Sequence, residues 1–320
     1  MPSQRVDVLG TTWPVAQAAR DVRIDQRAVD ALATRLAARP LECPTWRVWP
    51  HWWDDSPHTA TYVLVLDALN FSFWGEPRWR VSYAGHTFDG YWALAAALRR
   101  GLEEGWPLLD ARALARASEA DVAHLLRGEG LIPMLSERVD QLRDVGRVLL
   151  EQYEGSFAHA VAQCGGSAER LVNLLARQFP SYHDAYLVDG TEVHLYKRAQ
   201  LLVSDLFGAY GGAGLGRFED LGWLTAFADY KVPQVLRTEA VLAYSAPLAR
   251  QVDSLRPIPA GHAWEIEIRA CTVWAVEFLR RALAARGRAL LAFELDWLLW
   301  SEAQGRQLPF PYHRTRTTAY

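Results

Sequence analysis

The run EIEIRACTVWAVEFLRRALAA, Glu265 to Ala285, sets the architecture. Ile268, Thr272, Ala275 and Leu279 recur along one side, and Cys271, Trp274 and Phe278 along the next, at the 3.6-residue period of an α-helix. A helix that is apolar on most sides is one that other elements surround. The spacing therefore predicts a helix through the core of a mainly α protein. Glu267 and Arg269 stand at its start, as a buried or lobe-bridging ion pair or, for Glu267, as a group shaping a ligand cavity.

Outward from that run the same period continues. In IPMLSERVDQLRDVGRVLL (132–150), Leu135, Val139, Leu142, Val145 and Leu149 form an apolar stripe, with Glu137, Arg138, Asp140 and Arg143 expected on the outer face. Ser118 and Asp121 read as a capping box ahead of Val122, and helices are expected over Leu94–Leu102 and after Gly165-Gly166-Ser167. RWRVSYAGHTF differs: Trp79, Val81 and Tyr83 alternate before Ala84-Gly85, a strand entering a tight turn. Its expected partner strand is part of TYVLVLDALNF (61–71). No linker or repeat divides the chain, so the expectation is a single catalytic unit of two helical lobes, roughly 1–160 and 161–320.

Composition narrows the functions open to such a fold. The chain has 320 residues, 50% of them hydrophobic, and 34 Lys plus Arg against 37 Asp plus Glu, a net charge of -3. No basic field is present to hold a long nucleic acid, whereas a small anion needs only local cations. Cys43, Cys164 and Cys271 are far apart, which fits reduced thiols better than disulfides or a zinc ribbon. MPSQRVDVLG lacks an apolar leader core and no spanning run follows, so the expected setting is cytoplasmic, away from membranes. The 14 tryptophans concentrate in PTWRVWPHWWD (44–54) and between Trp74 and Trp92, as packing residues and as possible walls for a planar ligand.

Several motifs fail. GGAGLGR (211–217) has phosphate-loop spacing, but Arg217-Phe218 replaces Lys-Ser/Thr and no strand precedes it. Its glycines read instead as a tight turn between helices, with Gly214-Leu215-Gly216 in the local pattern of a helix-hairpin-helix. Neither GxSxG nor HExxH occurs, and the histidines lack ligand spacing, so no metal or organic cofactor is expected. What remains is polar residues set in apolar sequence: Asp67 and Asn70 in LDALNFSFW; Lys197, Arg198, Gln200 and Asp205 in LYKRAQLLVSDL; Asp229, Lys231 and Gln234 in FADYKVPQ. Each alone would be an ordinary buried hydrogen bond; together they suggest a site.

At these residues the chain resembles the queuosine salvage proteins, a family of queuosine 5′-phosphate N-glycosylases. The resemblance runs through DALNFSFW (67–74), FDGYWALAAALRRGLEEGWPLLD (88–110), IPMLSERVDQLRDVGRVL (132–149), LYKRAQLLVSDL (195–206), FADYKVPQVL (227–236), EIEIRACTVWAVEFL (265–279) and PYHRTRTTAY (311–320). LYKRAQ with FADYKVPQ is its most specific part, while Ala68, Ser72 and the TTAY end depart slightly from the family pattern.

The resemblance implies a helical fold similar to helix-hairpin-helix DNA glycosylases and hydrolysis of the bond between ribose and queuine. Asp229 is then the candidate carboxylate for the ribosyl cation, and Lys197 the cation for the 5′-phosphate or for fixing Asp229. Asp67, Asn70 and Glu267 are candidates for the base edge, and Phe71, Phe73, Trp74 and Tyr230 for its walls. Asp205, Lys231 and Gln234 complete the expected binding set, and His313 and Arg314 would bind phosphate or pin the tail. The expected ligands are queuosine 5′-phosphate and the product queuine. The alternative is a protein that binds a modified nucleoside or a transfer-RNA base without hydrolysis.

Overall fold

The computed structural model describes residues 5–305 and 307–320. Among them the α-helices are α1 (Val8–Ala18), α2 (Gln26–Ala37), α3 (Pro57–Ala68), α4 (Gly90–Glu103), α5 (Ala111–Ala115), α6 (Glu119–Leu125) and α7 (Leu135–Gln152). They continue with α8 (Phe157–Gln163), α9 (Ala168–Gln178), α10 (Lys197–Ala209), α11 (Lys231–Thr238), α12 (Ala246–Asp253), α13 (Ala263–Ala284) and α14 (Ala292–Gly305). Strands occur as three antiparallel pairs: β1 (Val22–Ile24) with β6 (Leu242–Tyr244), β2 (Arg80–Tyr83) with β3 (His86–Asp89), and β4 (Ala185–Val188) with β5 (Thr191–His194). The protein is mainly α, as its periodicities require. No described helix is long and apolar enough to cross a membrane.

Local chemistry explains the element ends. Ser118 and Asp121 close the capping box at the start of α6, each satisfying a backbone N–H of the other. Helix α13 is buried along most of its length, as its double stripe predicts. Gly146 lets α7 lie against α5: a Cβ there would stand 2.3 Å from Ala115 N. The glycines after α10 turn the chain back onto that helix, with Gly211, Gly212 and Gly214 all at positive φ. A three-residue 3-10 turn follows at Gly214–Gly216, and the next α-helix starts only at Lys231.

Three expectations fail here. TYVLVLDALNF does not pair with the hairpin; it lies largely in α3, where every residue from Thr59 to Ala68 is buried. Burial on all sides removes the periodicity that separates helix from strand, and β2 pairs with β3 across Ala84-Gly85 instead. Arg138 is not on the outer face of α7 but fully buried, donating to carbonyls beyond the end of α3. Nor does Arg269 pair with Glu267; its guanidinium grips Asp184 and approaches Glu265.

Two apolar clusters form the interior. The larger gathers α3, α4, α7 and α10, and the smaller gathers α2, α11, α13 and α14. The β1–β6 pair ties residues 22–24 to 242–244 within the second cluster. The residue 227–234 segment joins them, with Phe227 and Ala228 in the larger cluster and Val232 in the smaller.

Candidate active site

There the helices leave a cavity of about 1040 Å³. Lys197, Leu201 and Asp205 line it from α10 at spacings of four, one face of a helix. Asp229, Tyr230, Lys231 and Gln234 line it from the start of α11, Asp296, Trp297 and Trp300 from α14, and Asn70, Phe71 and Phe73 from the chain leaving α3.

Asp229 is held by the helix it precedes. Its Oδ1 accepts the backbone N–H groups of Lys231 at 2.7 Å and Val232 at 2.9 Å, two of the donors a helix start leaves open. Among the described residues no group donates to its Oδ2, so one oxygen is anchored while the residue lines the cavity. Burial raises its pKa; the Lys197 ammonium is the largest opposing influence.

Beside it lies a second carboxyl, Asp296, whose Oδ2 accepts the Phe227 N–H at 2.8 Å. Burial and the neighbouring Asp229 charge push its pKa well up. Two buried acids beside one cation cannot both ionise cheaply, and Lys197 opposes the upward shift of each. Lys197 itself is depressed by burial, with Asp229 the strongest of the carboxylates that keep it charged. Its ammonium makes no hydrogen bond to the described residues and opens on the cavity.

A buried ion pair fixes both backbones. Arg269 forks onto Asp184 at 2.8 and 2.7 Å, with the two side chains 0% and 2% exposed. Asp184 Oδ2 also accepts the Lys197 N–H at 2.9 Å, and Arg269 Nε–H donates to Ala228 O at 2.9 Å. One pair thus grips the residue before Asp229 and the first residue of α10. Losing either partner would strand a charge in the core.

The wall from α3 is clamped in the same manner. Arg138 donates to the carbonyls of Leu69 and Phe71, and Arg198 to those of Ala68 and Ser181. Their guanidinium carbons stand 4.2 and 5.4 Å from the Phe71 ring centroid, so two cations face one aromatic wall residue. Carbonyls at a helix C-terminus are the natural partners for such charges, and among the described residues no carboxylate accepts a hydrogen bond from either guanidinium. Burial and Arg198 pull Arg138 down to about 9.

At the far end Trp46 stacks on His51, centroids 4.2 Å apart. His51 lies between Trp46 O at 2.6 Å and the Tyr91 hydroxyl at 2.7 Å. The carbonyl can only accept, so Nδ1 carries the hydrogen and Nε2 receives that of Tyr91. Burial lowers His51 to about 4 and it is neutral at pH 7. Burial pushes the Asp205 carboxyl up to about 7, against the pull of Lys197. The cavity edge carries Arg78, Lys231 and Arg314: Arg78 meets Asp89 at 3.1 Å and Arg314 meets Glu76 at 3.7 Å. The Lys231 ammonium lies 4.9 Å from the Tyr312 ring centroid.

The cavity therefore gathers Lys197, Asp229, Asn70, Phe71, Phe73, Asp205, Tyr230, Lys231, Gln234 and Arg314 of the expected set. Four others line no part of it. Asp67 is wholly buried behind the wall, its Oδ1 accepting from Asn70 Nδ2 at 3.4 Å. Trp74 lies beneath the Arg314 guanidinium. Glu267 accepts the backbone N–H groups of Arg20, Asp21 and Val22, holding the chain entering β1. His313 is buried against the Tyr320 hydroxyl at 3.1 Å and driven down to about 3 by burial and Arg269, so it cannot serve as a phosphate cation.

Asp296, Asp184 and Arg269 are the residues that sequence reasoning missed in these roles. Asp296 carried the signal used elsewhere, an acid in an apolar run (AFELDWLLW, 292–300).

Comparison with known proteins gives a consistent set of likenesses. The profile of the family described as "Queuosine salvage protein" matches residues 50–320. A protein of Sphaerobacter thermophilus named queuosine 5′-phosphate N-glycosylase/hydrolase is 53% identical over 322 aligned residues, covering 100% of this chain and 99% of its own. Proteins of the same name from Dictyostelium discoideum and Bos taurus are 40% and 35% identical, covering 82% and 96% of this chain and 78% and 96% of their own.

Proposed function

Because the chain belongs to the queuosine salvage protein family, we propose that it is a hydrolase that cleaves the N-glycosidic bond of queuosine 5′-phosphate and releases queuine. The observation that carries this is Asp229, a buried carboxylate with one oxygen locked on a helix start, lining a nucleotide-sized cavity.

Cleavage of a ribosyl–base bond builds positive charge on the sugar. A carboxylate already oriented and already desolvated stabilises that charge without reorganising. Asp229 does this in our reading and directs a water at C1′, while Lys197 keeps it ionised. We assign the guanine-like edge of the base to Asn70 and Asp205, whose groups can meet its N1–H and amine. Phe71, Phe73 and Tyr230 cover its faces. Lys231 takes the phosphate, because Arg78 and Arg314 already have carboxylate partners.

Incubating the protein with queuosine 5′-phosphate and separating the products by chromatography tests the assignment. Stoichiometric free queuine and ribose 5-phosphate are expected. Tight binding with the nucleotide recovered intact would favour the non-hydrolytic alternative, and equal turnover of guanosine 5′-monophosphate would make the enzyme a general nucleotide hydrolase.

A further inference from the structure

We propose that Asp296 is a second catalytic group, a general acid that gives its proton to the departing base while Asp229 faces the sugar. The inference rests on the hydrolase reading above and extends it to the leaving group.

Three features place the proton donor at this residue. Asp296 lines the cavity yet is almost fully buried, and its Oδ2 is occupied by the Phe227 N–H, two residues from Asp229. A proton on Asp296 would therefore sit on Oδ1, for which the described residues supply no hydrogen-bond partner. The charged groups acting on it are Asp229, which together with burial raises its pKa, and Lys197, which opposes the rise; in the step inferred here Asp296 carries the proton and Asp229 the charge. Asp205 is the other acid on the wall, but eight residues along α10 separate it from Lys197, about 12 Å of helix. That distance suits the far edge of a base better than the bond being broken.

The substrate makes such a donor necessary. A 7-deazaguanine has carbon where guanine has its basic N7, so the usual atom for leaving-group protonation is missing. In the step inferred here the C1′–N9 bond breaks and its electron pair goes to the base. The Oδ1 proton of Asp296 passes to a ring nitrogen, N9 or N3, so queuine departs neutral. Water adds to C1′ and loses its proton to Asp229. The cycle leaves Asp229 protonated and Asp296 ionised, and proton exchange with solvent after product release restores both.

Asp296→Asn tests this, because the amide oxygen still accepts from Phe227 N–H while no acidic proton remains. Its kcat on queuosine 5′-phosphate should fall 10²- to 10⁴-fold, the range typical of lost general-acid catalysis, with KM changed only a few-fold. The alkaline fall in the wild-type kcat profile should vanish in the variant. A ribose 5-phosphate bearing 4-nitrophenoxide, which leaves without a proton, should lose far less. Equal losses on both substrates, an alkaline limb that persists, or kcat within about threefold of wild type would each overturn the proposal. If the Asn variant does not fold, Asp296→Glu decides: its alkaline limb should move, and an unmoved limb with full activity sinks the idea. A wild-type protein that releases no queuine would defeat the hydrolase reading itself, whereas an active wild type with a normal Asn variant would defeat only this extension.

Discussion

Replacing Asp229 by Asn separates catalysis from folding at the centre of the site. The Asn Oδ1 can still accept from the Lys231 and Val232 N–H groups, so the cap on α11 survives. What disappears is a negative charge on the cavity wall. If that charge acts only on the ribosyl cation, single-turnover release of queuine should slow by roughly 10² to 10⁴, or about 2.7 to 5.5 kcal/mol of transition-state stabilisation, while ligand affinity is kept.

Stability should move the other way. The folded-state pKa of Asp229 is raised, chiefly by burial. A carboxyl with a raised folded pKa binds its proton more tightly in the folded protein, so it costs stability as pH rises above the unfolded value near 3.8. Asn carries no such cost, and the variant should be at least as stable as wild type at pH 8, with the advantage shrinking toward pH 4. Thermal unfolding across that range, read beside the release assay, makes the separation visible. Near-normal release would refute the catalytic role. A variant both inactive and destabilised at pH 8 would show that the carboxylate holds the fold.

Three further outcomes follow from the same geometry. Lys231→Ala should weaken the phosphorylated ligand about 10- to 100-fold by calorimetry and leave the unphosphorylated nucleoside nearly unchanged, the effect of one charge-assisted contact; equal losses would remove Lys231 from the phosphate. Arg138→Met strands the buried carbonyls of Leu69 and Phe71, so the denaturant midpoint should report a loss of about 2–4 kcal/mol and KM should rise as Phe71 loosens; an unchanged midpoint would deny the clamp. His51 has a lowered folded pKa near 4, so it withholds nothing above pH 6.5 and costs stability as pH falls below it, about 2 kcal/mol at pH 5; His51→Gln should flatten the stability profile between pH 6.5 and 5 by that amount, and an unaltered slope would contradict its buried neutral state.

The elements legible in the sequence are those whose two faces differ or whose ends are chemically marked. The α7 stripe, the Ser118 capping box and the Ala84-Gly85 turn are of this kind, since each records a boundary between core and water. Lys197 and Asp205 were legible as candidates for a related reason: polar residues inside an apolar run have no solvent to explain them, although the helical face they share with Leu201 emerges only in the structure. Helix α3 was not legible as a helix, because burial on every side makes TYVLVLDALNF equally good as a strand.

Charge was the least readable property, since sequence shows that a residue is ionisable but not what meets it. Arg138 looks like an outer-face cation, and only the arrival of the Leu69 and Phe71 carbonyls makes its burial tolerable. Glu267 looks like a site acid at the head of a core helix, yet the backbone of residues 20–22 claims it from 245 or more positions away. Asp184 and Arg269 lie 85 residues apart and show no shared motif, although their pair fixes the backbones that carry Lys197 and Asp229. A site assembled from α3, α10, α11 and α14 draws most of its chemistry from the family blocks, with Asp296 outside them, while its orientation depends on contacts across the chain. It follows that variants of Asp229 and Asp296 should change rate with the fold intact, whereas variants of Asp184 and Arg269 should lose both together, because the same bonds that aim the carboxylate also neutralise a buried charge.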